Sequence, residues 1–369
     1  MSISKFEFGG IYVMKKNFSI FIMVVIIGIL SISTVSAETS SKPNIVILAT
    51  GGTIAGKASS DTATTGYKAG AIDIDTLINA VPEMKDYANI SGEQICNISS
   101  NNITDSIWIK LADRINSLLA QDNVDGIVVT HGTDTLEETA YFLNLTVKSK
   151  KPVVIVGAMR PATAISADGP MNLLNAVRIA ASKQAINKGV LVTLNDEIDA
   201  ARDVTKTNTL MTSTFKAPEL GALGYMEGGT PVFYRETTRR NTINSDFSLN
   251  GALSLPYVAI IYGHANGDSA LISAAVNAGA KGIIYAGTGD GSIHETDEAE
   301  LSKAAAQGIV VVRSSRVGNG AVIKAQQSYT DEHFLNGGTL NPQKARILLQ
   351  LALLKTHNLS DIQKMFDQY

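Results

Sequence analysis

An α/β fold follows from three features of the chain: strand-length apolar runs, helical stripes between them, and a polar interruption past its middle. The runs are "NIVILAT", "GIVVTH", "PVVIVGA", "GVLVTL", "YVAIIYG", "GIIYAG" and "GIVVVRS". They are nearly continuous rather than alternating, which marks strands buried on both faces of a parallel sheet. The interruption, "RETTRRNTINSDFSLNGALSL" from Arg235 to Leu255, is polar and lacks strong periodicity. The expected architecture is a larger N-terminal domain with a mostly parallel sheet flanked by helices, then a smaller α/β C-terminal domain. A chain of 369 residues is too long for one ordinary core, which agrees with two domains.

Residues 1–37 stand apart from that fold. Two lysines, Lys15 and Lys16, precede an apolar stretch from Phe18 to Ile32 and a small-residue site, Val35-Ser36-Ala37. That is the layout of a cleaved signal peptide. The alternative is a membrane anchor, for which the stretch is short of the roughly 20 residues that a spanning helix needs. Residues 1–13 read as an upstream extension, with Met14 as a second candidate start. Cleavage after Ala37 removes three lysines and one glutamate from totals of 31 basic and 34 acidic residues, so the net charge moves from −3 to −5. Neither value leaves a basic footprint for nucleic acid. Hydrophobic residues make up 45 %, enough for a packed core. The single cysteine, Cys96, cannot form an internal disulfide.

The expected domains are 38–235 and 256–369, joined by a linker at 236–255; a long surface loop within one domain is the other reading of that segment. In the first domain, "DSIWIKLADRINSLLAQ" sets Ile107, Leu111, Ile115 and Leu119 on one helical stripe. "DGPMNLLNAVRIAASK" opens with Asp168 at an N-cap position and Pro170 in the first turn.

Ligands in open parallel sheets gather at the carboxyl ends of strands, where three stretches stand out. "ATGGTIAG" ends the first strand. It departs from the dinucleotide fingerprint and lacks the Lys-Ser/Thr ending of a phosphate loop. Its glycines allow a tight turn and close approach to a ligand, with the Thr53 hydroxyl at the sheet edge; Thr53 could equally cap a turn. In "THGTDTLEETAYF", Thr135-Leu136-Glu137-Glu138 has the form of a capping box. Thr133 and Asp134 therefore lie at a strand-to-helix corner, where a substrate carboxylate and ammonium could be held. Asp134 as a simple helix cap is the plainer reading. His131 reads as a hydrogen-bonded structural residue. In "NDEIDAARDVTKTNT", Lys206 is either a solvated lysine or the partner of Thr133 and Asp134 in an acid–base cluster without histidine. The five histidines (131, 264, 294, 333, 357) show no metal-ligand spacing, and neither a metal nor a cofactor is expected. "GTGDGS" at 287–292 is a weak signal.

Together these stretches resemble the bacterial type II L-asparaginases, exported homotetrameric amidohydrolases. The resemblance runs from Pro43 to Tyr369 and includes "ILATGGTIAG", "THGTDTLEETAYFL", "VGAMRP", "SADGP", "RDVTKTNT", "VVRSSRVGNG" and "GTLNPQKARILLQLAL". It implies hydrolysis of L-asparagine to L-aspartate and ammonia, often with weaker action on L-glutamine. It implies Thr53 as nucleophile of an acyl-enzyme route, with Tyr67 beside it on a mobile loop. It gives Lys206 a proton-transfer role, Thr133 the delivery of water or assistance to the attack, and Asp134 the substrate ammonium. Ser100 then holds the α-carboxylate and the Ala158 carbonyl contacts the amide. It implies a homotetramer acting on a small molecule, located in the periplasm or secreted and free of the membrane after cleavage.

The chain departs from the family pattern at several places. Tyr67 lies one residue further along than usual. Asn101 stands where the family has Gln or Glu, Gln327 where a neighbouring subunit supplies Glu, and Ser292 where Asn is frequent. The cysteine pair of some members is absent. These departures bear on affinity and selectivity. The competing readings are a broad glutaminase-asparaginase and an exported amino-acid-binding protein without catalysis.

Overall fold

The computed structural model describes residues 41–249, 251–324 and 326–369. The signal segment 1–37, with its Ala37 site and the Met14 start, lies outside the described residues. The larger sheet begins with β1 (Asn44–Gly51), β2 (Asn89–Ile98), β3 (Gly126–Thr130), β4 (Val153–Val156), β5 (Val190–Leu194) and β6 (Glu197–Ala200). A small separate ladder, β7 (Thr205–Lys206) with β8 (Phe215–Lys216), follows, and β9 (Gly224–Glu227) and β10 (Thr230–Phe233) complete the larger sheet. Its order is β10-β9-β6-β5-β4-β3-β1-β2. From β5 to β2 every pairing is parallel, while β6, β9 and β10 add an antiparallel margin.

The four apolar runs of this half are β1, β3, β4 and β5, buried nearly throughout. β2 and the antiparallel margin have no such run. β2 lies at the sheet edge with only Ile95 fully buried, and β9 alternates buried and exposed positions, so neither reads as a buried strand.

Helices cover both faces: α1 (Ile74–Asn79), α2 (Asp105–Leu119), α3 (Leu136–Thr146) and α4 (Gly169–Ala180). In α2, Leu111, Ile115 and Leu119 are buried and Ile107 partly so, and the Thr104 side chain accepts from Ile107 N. Two expected caps take other partners. The Thr135 hydroxyl donates to Ser100 O at 2.8 Å instead of capping α3, so the capping box does not form. The Asp168 carboxylate accepts from Met159 N and Arg160 N, both at 2.9 Å, and from the Asn172 side-chain amide at 3.2 Å, instead of from the backbone of its own helix.

The smaller domain repeats the rhythm with a parallel sheet, β11 (Val258–Tyr262), β12 (Gly282–Gly287), β13 (Val310–Ser315) and β14 (Leu335–Asn336), in that order. Its helices are α5 (Ala270–Asn277), α6 (Glu295–Ala306), α7 (Gln327–Asp331), α8 (Pro342–Leu353) and α9 (Leu359–Gln368). One core runs from the larger sheet through α2 and α3 to α8, α9 and the smaller sheet. A second lies beneath α1 and α4, and a third beneath α5 and α6. The polar segment 236–255 is fastened to this body: Phe247 is 2 % exposed, and Ser245 Oγ donates to Leu145 O at 2.5 Å. Among the described residues no helix is long and apolar enough to cross a membrane.

Candidate active site

β1 ends in two glycines because the backbone there enters left-handed space, with φ of 103° at Gly51 and 80° at Gly52. Gly52 also lies against another backbone: a Cβ on it would stand 2.3 Å from Gly132 Cα, beyond the end of β3. Two adjacent strand ends therefore touch through glycines, and each carries a threonine just past the contact. On the β1 side, Thr53 opens a short 3-10 turn and is 5 % exposed. Its Oγ1 lies 2.6 Å from Tyr67 Oη. Lys57 and Lys68 close the base of the intervening loop by two backbone hydrogen bonds of 3.0 Å, which returns Tyr67 to Thr53.

On the β3 side, Lys206 Nζ donates to Thr133 Oγ1 at 3.0 Å and to Asp134 Oδ1 at 2.8 Å. The Lys206 side chain is 17 % exposed and that of Asp134 60 %. The buried Ser100 Oγ accepts from Asp134 N at 3.2 Å, which leaves the Ser100 hydroxyl proton available to a ligand. Gly52, Thr53, Tyr67, Ser100, Gly132, Thr133, Asp134 and Lys206 line one open cleft of about 480 Å³, together with Met159 and Arg160. Thus two hydroxyl-centred clusters face a common space: Thr53 with Tyr67, and Thr133 with Lys206 and Asp134.

His131 supports the β3 side from below. Its Nδ1 lies 2.7 Å from Gly132 O, so Nδ1 carries the proton. Its Nε2 then accepts from Thr139 Oγ1 at 2.9 Å, and Thr139 Oγ1 accepts from Trp108 Nε1 at 2.8 Å. Burial pulls the imidazole pKa from 6.5 down to about 4, and the ring is neutral at pH 7. Burial also raises the Cys96 thiol, whose Sγ faces Thr50 O at 3.4 Å.

The remaining sequence-selected residues lie elsewhere. Ala158 is buried and immediately precedes Met159 of the cleft lining. Asn101 is exposed and bonded to Ser99 and Asn102. Ser292 faces Asp290 at 3.3 Å, and Gln327 bonds Asp331 at 2.8 Å on α7 of the smaller domain. None of these three lines the cleft of its own chain. Arg160 escaped sequence reasoning, although "VGAMRP" contained it. Among the described residues no group of three or more His, Cys, Asp or Glu could hold a metal ion.

A second polar layer lies behind the cleft. Asn341 Nδ2 and Gln343 Nε2, at the start of α8, donate to the two Glu137 carboxylate oxygens at 3.2 and 2.9 Å. Lys344 Nζ donates to Arg202 O at 2.9 Å and to Val204 O, and lies 4.0 Å from Glu137. Burial lowers the Lys344 pKa to about 8, with Glu137 and Asp203 opposing the shift. Burial raises the carboxyls of Glu138 and Asp199 to about 7.

Fold and cleft together define an enzyme of the amidohydrolase class on a two-domain α/β scaffold. Residues 44–239 match the asparaginase N-terminal domain family and 257–366 the glutaminase/asparaginase C-terminal domain family. The chain belongs to the asparaginase family. It is 58 % identical over 337 residues to L-asparaginase 2 of Bacillus subtilis (strain 168), covering 91 % of this chain and 89 % of that one. It is 51 % identical over 334 residues to a probable periplasmic L-asparaginase of Haemophilus influenzae, covering 90 % and 95 %. The crystal structure of a probable cytoplasmic L-asparaginase from Campylobacter jejuni superposes with a TM-score of 0.87 at 51 % identity, covering 89 % of this chain and 100 % of that one.

Proposed function

We propose that the protein hydrolyses L-asparagine to L-aspartate and ammonia, with Thr53 as nucleophile. Thr53 Oγ1 attacks the side-chain amide carbon and its proton passes through Tyr67. The C–N bond breaks, ammonia leaves with that proton, and an ester joins Thr53 to the aspartyl group. A water held by Thr133 then attacks the ester carbonyl carbon, its proton passing through Thr133 and Lys206; the C–O bond to Thr53 breaks, Thr53 Oγ1 takes back a proton through Tyr67, and L-aspartate leaves. A hydroxyl needs such proton acceptors because it is a weak nucleophile at its own pKa. Asp134 receives the substrate ammonium and Ser100 the α-carboxylate, both by charge-assisted hydrogen bonds. The Ala158 carbonyl faces the amide. The observation that carries this reading is the pair of hydroxyl clusters on one cleft, joined across Gly52 and Gly132.

Asn101, Ser292 and Gln327 complete the substrate site, the last from a neighbouring copy in a homotetramer. Its support is the position of Gln327 on α7, off the cleft of its own chain. A fully active monomer in sedimentation analysis would contradict that assembly. Residues 38–235 and 256–369 act as the two domains around a linker at 236–255, a division supported by the gap between the two family matches. Export to the periplasm or beyond rests on the 1–37 segment and on the periplasmic relative.

Ammonia release from asparagine and from glutamine tests the reading. Release from asparagine at least about tenfold more efficient than from glutamine supports an asparaginase. Comparable rates point to a glutaminase-asparaginase, in line with the family of the C-terminal domain. Binding without ammonia leaves an amino-acid-binding protein.

A further inference from the structure

The Lys206 amine meets Thr133 and Asp134 although 73 and 72 residues separate them. Each arm of this contact has a buried attachment to the same place. The arm before Lys206 presents the Arg202 and Val204 carbonyls to Lys344 Nζ. The arm after Asp134 continues into α3, where Glu137 receives Asn341 and Gln343 and faces Lys344 at 4.0 Å. All three partners belong to the first turn of α8 or its cap. Asn341 holds that turn together by accepting from Lys344 N at 3.1 Å. Lys344 is 2 % exposed, Glu137 6 % and Val204 0 %. Beyond Lys206, the chain is fixed again by Thr207 N and Oγ1, which both donate to Thr214 O at 2.8 Å.

We infer that Lys344 is a positioning residue for hydrolysis, its ammonium fixing the 202–204 backbone so that the Lys206 amine is held against Thr133 and Asp134. This rests on the proposed role of Lys206 in amide hydrolysis. A lysine suits the task because one ammonium has three donors: two meet carbonyls that precede Lys206, and the charge faces the carboxylate on α3. The smaller domain thus sets the distance between two catalytic parts of the larger one. A displacement of about 1 Å in such a contact can cost about 10²-fold in rate.

The test is Lys344→Met, alone and with Glu137→Gln. The single variant loses the donor to both carbonyls and leaves Glu137 buried without its cation, so it should melt earlier and lose kcat by about 10²-fold. KM for asparagine should change by less than about threefold, because Ser100 and Asp134 are held together independently. The double variant removes the stranded charge. Its melting temperature should recover while kcat stays low, since Arg202 O and Val204 O still lack a donor. Recovery of kcat along with stability, or a single variant within about threefold of the parent kcat, overturns the inference and leaves the asparaginase reading intact. Absence of ammonia release by the parent instead removes the asparaginase reading. Hydrogen exchange over residues 202–207 then decides the positioning claim: faster exchange in the double variant supports it, and exchange equal to the parent overturns it.

Discussion

Substituting Gly52 by alanine perturbs a backbone contact between the two strand ends that carry the hydroxyl clusters. The new Cβ would stand 2.3 Å from Gly132 Cα and N and 2.9 Å from His131 C, where ordinary contact begins near 3.4 Å. All three obstacles are backbone, so no side chain can swing away, and the ends of β1 and β3 must part by about an ångström. Gly52 also has φ 80° and ψ −169°, a region essentially reserved for glycine. Strain of about 1–3 kcal/mol and overpacking of about 1–3 kcal/mol give a destabilisation of roughly 2–6 kcal/mol. A shift of about an ångström between Thr53 and Thr133 should lower kcat by about 10²-fold. Gly228→Ala is the control: φ is 56° with nothing within 4 Å, so it should cost about 1 kcal/mol and leave kcat unchanged. Steady-state ammonia release and thermal melting of both variants measure these effects. Parent-like kcat and melting temperature for Gly52→Ala would refute the claim that the glycine contact sets the cleft.

Thr53→Ala and Lys206→Met should each lower kcat by at least about 10³-fold, with a smaller loss for Tyr67→Phe; near-normal turnover by Thr53→Ala would end the nucleophile assignment. His131 is held neutral when folded, so between its unfolded pKa of 6.5 and about 4 the unfolded chain binds more protons and stability falls as pH falls. Glu138 and Asp199, raised to about 7, contribute slopes of the opposite sign, so the parent must be compared with His131→Asn. Their difference in unfolding free energy should grow by about 1.4 kcal/mol per pH unit from pH 4 to 6.5, and a flat difference in chemical denaturation would contradict a buried neutral imidazole. The Asn101→Gln, Gln327→Glu double variant should lower KM for asparagine about tenfold if roughly 1.4 kcal/mol of binding is gained, with kcat nearly constant. An unchanged KM means that neither position touches substrate. Intact-mass analysis of exported protein should give Glu38 as the first residue, and retention of 18–32 would favour an anchored form.

The parallel centre of the fold was legible because β1, β3, β4 and β5 are buried on both faces and leave unbroken apolar runs. β2, β9 and β10 were not, since these strands keep exposed positions, and β6 was not because it is short and carries polar Glu197 and the buried Asp199. Local glycine chemistry marked the end of β1, yet nothing in "ATGGTIAG" could say that Gly52 meets Gly132. Thr133 and Asp134 were legible as a strand-to-helix corner, but their approach to Lys206 is a long-range contact without a local signature. The capping-box pattern misled for a related reason: Ser100, distant in sequence, took the Thr135 hydroxyl and supplied the acceptor for Asp134 N. Ser292 and Gln327 do not line the cleft of their own chain, so a single folded copy says nothing of what they do there.

The relay from Trp108 through Thr139 and His131 to Gly132 also has a spectroscopic consequence. Trp108 is the only tryptophan among 369 residues, so indole emission excited at the red edge comes from one site. The ring is 4 % exposed and stacked on Phe142 with centroids 5.3 Å apart, which calls for a short-wavelength emission maximum. Three hydrogen bonds connect that emitter to the backbone beside Thr133. Its quantum yield and lifetime are therefore an unlabelled optical gauge of the β3 end of the cleft, readable while substrate is being turned over.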